Sequence, residues 1–149
     1  MIQRKQSLYW FLAAVLAITL IFMNFLQLVT NNGDYDITAF GVFKGTEKIV
    51  PAIPLIAYLV GLAVTNIVVI FLYKKRVLQA RISTLLCLLS LGFYALLAFY
   101  RFMSLDSEVL ATKFGYGIII PLICAILDYM ATRATISDEK KVRSLDRIR

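Results

Sequence analysis

The chain has 149 residues, 60% of them hydrophobic and 17% charged, and a formal net charge of +7. A soluble domain holds about 45–50% apolar and about 25% charged residues, and each of its helices needs a polar face, so this composition argues against a soluble fold. The absence of histidine removes the commonest general base and metal ligand, and the basic residues sit beside hydrophobic segments, which points to membrane orientation and away from nucleic acid.

No charge occurs between Gln6 and Gly33, and the strongly apolar part, residues 8–29, predicts a first spanning helix of about 30 Å. Its apolar run is about twice the length of a secretion-signal core, so it reads as a retained helix. Asn24 and Gln27 fall in its outer half, where side-chain amides are expected to hydrogen-bond between helices. Asn31-Asn32-Gly33-Asp34 is a turn signal, and Tyr35 to Phe43 mixes β-formers with apolar residues. One or two short strands over the outer mouth of the helices are expected there.

The second span, 49–73, opens with Pro51 and Pro54, tolerable in a first turn where the missing amide has no partner anyway. It carries Asn66 as helix glue and a small-residue face of Ala57, Gly61 and Thr65. The third span is 82–100. The fourth, 114–132, contains Pro121, expected to kink it, and Asp128 in its final turns. Asp128 is the one ionisable residue within a span, and the expected role is a structural ion pair with Arg76, Arg81 or Arg4, with plain interfacial exposure and then proton or ion handling as the lesser alternatives. Cys87 and Cys124 lie in apolar segments and read as small buried hydrophobes. Beyond residue 136, Ser137 is a suitable N-cap, and Val142, Leu145 and Ile148 give a thin apolar stripe. A separate short helix on the inner leaflet or on a partner is expected over 137–149, set apart from a transmembrane domain over 1–136.

The N-terminal flank, the connection from Lys74 to Arg81 and the tail hold twelve basic residues, against four (Lys44, Lys48, Arg101 and Lys113) in the other connections. With four crossings this asymmetry predicts that both termini are cytoplasmic. Tyr9, Trp10, Tyr73 and Tyr129 read as an inner aromatic belt, and Phe99, Tyr100, Phe102 and Tyr116 as an outer one. The expected fold is an all-α membrane protein: a four-transmembrane-helix bundle, N-in and C-in, with a short β-like external loop and a short amphipathic cytoplasmic C-terminal helix.

Several stretches resemble a known family. These are Met1-Ile2-Gln3-Arg4 with Gln6-Ser7-Leu8-Tyr9, the Tyr73-Lys74 loop with Arg76, Leu78, Gln79 and Arg81, and Phe114-Gly115 with Pro121. The ending, Asp138-Glu139 with Val142-Arg143-Ser144 and Asp146-Arg147, completes the pattern. The chain is similar from end to end to domain-of-unknown-function family 4293, small four-helix inner-membrane proteins of Bacteroidota-type bacteria; Asp128 departs from the family pattern. The resemblance implies the bacterial inner membrane and supplies no activity.

Gln3, Arg4, Arg76, Gln79, Arg81, Arg143, Asp146 and Arg147 are expected on one cytoplasmic surface that takes lipid or a protein partner. Asn24, Asn66 and Asp128 are the intramembrane polar candidates. No catalytic set, metal-ligand spacing or phosphate loop is present, and no cofactor is implied. The expected function is a non-enzymatic accessory or scaffold subunit that binds other inner-membrane subunits through its bundle and basic face. The alternatives are a small transporter or channel, or an envelope sensor.

Overall fold

The neutral stretch that begins at Leu8 does not stay helical to Val29. In the computed structural model, which describes residues 5–31, 33–73, 75–103 and 109–146, α1 (Lys5–Ile21) ends early and the chain turns into a strand, β1 (Asn24–Thr30). A helix through this segment would hold Asn24 and Gln27 in lipid. As a strand, it pairs its backbone on both edges and turns Gln27 toward Asp34 of the next strand, with Nε2 3.4 Å from Oδ2. β2 (Gly33–Thr38), β3 (Gly41–Lys44) and β4 (Glu47–Pro51) continue as a meander. Alternation fixes the faces: Leu26, Leu28, Tyr35 and Ile37 are buried, while Asp34 and Asp36 lie on the other side. The β3–β4 hairpin turns on Gly45, whose φ of 62° suits the first central position of a type II′ turn.

α2 (Ile53–Phe71) and α3 (Arg76–Met103) follow, and β5 (Val109–Phe114) then returns to pair antiparallel with β1. The sheet order is β4-β3-β2-β1-β5. The chain continues through a 3-10 turn (Tyr116–Ile119) into α4 (Ile120–Asp146). The expectation of an all-α four-helix protein is therefore overturned. Among the described residues there are four helices and a five-stranded antiparallel sheet, and the sheet absorbs both the end of the expected first span and the start of the second, Pro51 included.

Two further expectations change for identifiable reasons. Pro121 does not kink a helix: α4 starts at Ile120, so the proline occupies its first turn, where it removes no helical hydrogen bond. The tail is not a separate helix either. With no glycine or proline after Pro121, α4 runs without a break through Ser137 to Asp146.

The helices pack side by side, α1 against α2 and α4, and α3 against α2 and α4. The inner face of the sheet closes one end of them. Phe25, Leu28, Ile37 and Val42 meet Leu20 of α1, Leu55 and Leu59 of α2, and Phe93 and Leu97 of α3 in one buried cluster. Phe93 is its pivot, with the Phe25 ring edge-on at 5.3 Å. A second cluster farther from the sheet joins Trp10, Ala17, Leu62, Val69, Leu86 and Ala131. Among the described residues, three helical segments, Ile53–Phe71, Arg76–Phe102 and Tyr116–Val142, are long and apolar enough to cross a membrane; α1 is apolar but shorter, at 17 residues. Their outward faces carry exposed Val64, Val68, Leu85, Leu88, Ile123 and Ile126, a surface suited to lipid.

Candidate functional site

The interior holds a run of polar groups centred on Asp128. Trp10 Nε1 donates to Ser83 Oγ at 2.9 Å, and Ser83 Oγ donates to the Asp128 carbonyl at 2.9 Å. Thr132 Oγ1 donates to the same carbonyl from one turn below, also at 2.9 Å. Ser90 Oγ lies 3.5 Å from Asp128 Oδ2, while Oδ1 has no hydrogen-bond partner among the described residues. Ser83 and Ser90 stand two turns apart on one face of α3, so they bracket Asp128 from above and below. Beside them is a cavity of about 10 Å³ lined by Ala13, Leu62, Asn66, Ser90 and Cys124, room for about one water.

This placement corrects the ion-pair expectation for Arg76 and Arg81, while Arg4 lies outside the described residues. Asp128 is fully buried and opposes Ser90, which lies midway along α3; no arginine contacts it among the described residues. Arg133 is near in sequence, but five helical residues turn it about 140° away around α4. It is exposed and rests over the Tyr129 ring, 5.9 Å from the centroid. Asn66 is also not the expected interhelical glue: its Nδ2 donates back to Leu62 O of its own helix at 3.1 Å, and its Oδ1 has no partner among the described residues. Asn24 is not in a helix at all. It opens β1, and its carbonyl is closely approached by Gly115 and Gly117.

At the end away from the sheet, a second set of contacts ties the chain together. Gln6 on α1 is buried; its Nε2 donates to Asp138, and its Oε1 accepts from Thr135 Oγ1 at 3.2 Å. The far part of α4 is thereby clamped to the start of α1. Gln79, expected on the surface, is buried as well, and its Nε2 donates to the Val69 carbonyl at 2.9 Å, a second bond to an acceptor that also takes the Leu72 N–H at the end of α2. Removing the clamp with Gln6→Leu is expected to cost about 0.5–1.5 kcal/mol per lost bond. Amide exchange in 135–146 should quicken, while the sheet keeps its protection.

Arg76 and Arg81 do converge. They line an open groove of about 770 Å³ with Lys75, Tyr73, Val77 and Leu78 from the α2–α3 turn and the start of α3, and with Glu139 and Val142 of α4. Gln3, Arg4 and Arg147 lie outside the described residues, as do the side chains of Arg143 and Asp146. A third hollow, of about 460 Å³, lies against the outward face of the sheet among Phe22, Gln27, Asp36, Lys113 and Tyr116.

Trp10, expected in an interfacial belt, is fully buried among Ala17, Leu62, Leu86 and Ala131, and the bond to Ser83 satisfies its indole N–H there. The signal that could have placed it is the pair Ser83 and Ser90, seven residues apart in an otherwise apolar helix.

The family model for a domain of unknown function, DUF4293, matches residues 2–148, spanning the sheet and all four helices. The chain belongs to this family. No curated protein and no solved structure matches it. The range matched to DUF4293 takes in the residues of the Gln6–Asp138 clamp, the groove and the sheet.

Proposed function

We propose that this DUF4293 protein is a non-enzymatic accessory or scaffold subunit of the cytoplasmic membrane, with both termini inside, that works by binding other membrane components. The observation that carries this reading is the closed interior. Its polar groups bond mostly to backbone carbonyls, its cavity is about 10 Å³, and the larger hollows, of about 770 and 460 Å³, open at the surface. The orientation is supported by charge. Lys5, Lys75, Arg76, Arg81, Lys140 and Lys141 belong to the end away from the sheet, and Lys44, Lys48, Arg101 and Lys113 to the sheet end.

The small face of α2 supplies a test that leaves the fold alone. Ala57 and Gly61 are exposed, and a Cβ built on Gly61 meets nothing within 4 Å. Purification of the native protein in mild detergent should bring down partner proteins in fixed stoichiometry. Gly61→Leu should weaken that association without lowering the melting temperature. Recovery of the native protein alone, as monomer or dimer, overturns the reading.

A small transporter is the second reading, favoured by Asp128 at mid-bundle with one carboxylate oxygen unpartnered. It requires flux in proteoliposomes that disappears in Asp128→Asn.

A further inference from the structure

The groove between the α2–α3 turn and α4 has a composition that neither orientation nor packing explains. Three cations, Lys75, Arg76 and Arg81, converge with a single acid, Glu139, while the walls between them, Leu78 and Val142 included, are apolar and exposed. Orientation needs only that basic residues lie on the correct side; it does not need them gathered around a hollow. A volume of about 770 Å³ lies within the range of about 300–1,000 Å³ typical of ligand sites. We propose that this groove binds the headgroup of an anionic phospholipid from the cytoplasmic leaflet.

Charge complementarity selects the sign, and the apolar walls select the source. A free phosphate or an acidic peptide satisfies the guanidinium groups but leaves Leu78 and Val142 wet. A lipid covers them with its glycerol and first methylenes. Its acyl chains then have a path. Arg81 is the last cation of α3 before the neutral stretch that begins at Ile82, and exposed Leu85 stands two turns beyond Leu78 on the same face. The guanidinium groups offer forked donors to phosphate oxygens, with Lys75 adding a point charge. α4 forms the second wall because it continues as a helix past the apolar segment, held there by the Gln6 contact with Asp138. The inference rests on the orientation proposed above and not on the accessory role.

The test is native mass spectrometry of the full chain released from mild detergent, titrated with phosphatidylglycerol or phosphatidylethanolamine. Binding of one phosphatidylglycerol should exceed that of phosphatidylethanolamine by at least about tenfold. Arg76→Gln with Arg81→Gln should abolish most of the preference, since each basic residue near a membrane surface contributes several-fold. Lys140→Gln with Lys141→Gln removes the same charge from exposed positions outside the groove and should leave the preference intact. An unchanged melting temperature of both variants verifies folding. Equal loss in the two variants means diffuse attraction and overturns the site. So does full competition by soluble glycerol phosphate, which indicates a free-phosphate site, or by an acidic peptide, which indicates a protein surface. A chain that binds the lipid but purifies without protein partners retains the groove and loses the accessory reading; the converse result does the opposite.

Discussion

Trp10→Ala is expected to destabilise the protein by about 3–5 kcal/mol, the range for deleting a large buried aromatic. Trp10 is fully buried in the cluster that joins α1 to Leu62, Leu86 and Ala131, so the loss opens a cavity where three helices meet it. It also strips Ser83 of its donor, and Ser83 is the link from α3 to the Asp128 carbonyl. Unfolding in mixed micelles, followed by circular dichroism, measures the cost. Trp10→Phe separates the contributions: it retains most of the packing and loses the indole N–H, and should cost about 0.6–2 kcal/mol, the scale of one hydrogen bond between helices in lipid. If the two variants proved equally harmful, the bond and not the packing would be the dominant effect.

Gly115→Val should also be strongly damaging, through a different cause. A Cβ at Gly115 would sit 2.3 Å from the Asn24 carbonyl oxygen and 3.1 Å from that of Phe25. Both are backbone atoms of a strand paired on both edges, so neither can yield as a flexible side chain would. The substitution has to break the Gly115 N–H bond to Phe25 O, 2.9 Å in length, and with it the seam between β1 and β5. Ordinary overpacking costs about 1–3 kcal/mol, and a clash with fixed backbone belongs at or above the top of that range. Hydrogen exchange should report loss of protection in 24–30 and 109–114, with the α2–α3 turn unaffected. Gly61→Ala is the control: its added methyl enters open space, and replacing a mid-helix glycine should stabilise by roughly 0.5–1 kcal/mol.

The two ends of the molecule were unequally legible. Neutral segments of hydrocarbon length in α2 and α3 announce helices because nothing polar interrupts them, and the alternation of Asp34, Tyr35, Asp36 and Ile37 announces a strand. β1 was hidden because Phe25-Leu26-Gln27-Leu28-Val29 follows an apolar helix without punctuation, and a continuous apolar run satisfies either period. β5 was hidden because Val109–Phe114 has meaning only beside β1, some 80 residues earlier in the chain. The candidate site divides in the same way. That Arg76 and Arg81 lie at the same end of α3 is legible in the sequence, but five residues set them about 140° apart around the helix. Only the fold shows that both line one groove, which Glu139 and Val142 reach because α4 continues straight past the apolar segment.

By itself, the sequence determined that the chain carries helices suited to lipid, that its basic residues collect at one set of their ends, and that it resembles the family whose model it matches. These are sums over many residues, and local composition is enough to decide them. The tertiary structure alone decided where Asp128, Gln79 and Trp10 go. All three were expected at or near the membrane surface and all three are buried, because a helix exposes one face and buries another, and which face is buried depends on the neighbours that pack against it. The five-stranded sheet was decided in the same way, since its last strand exists only through a backbone partner that sequence proximity does not reveal.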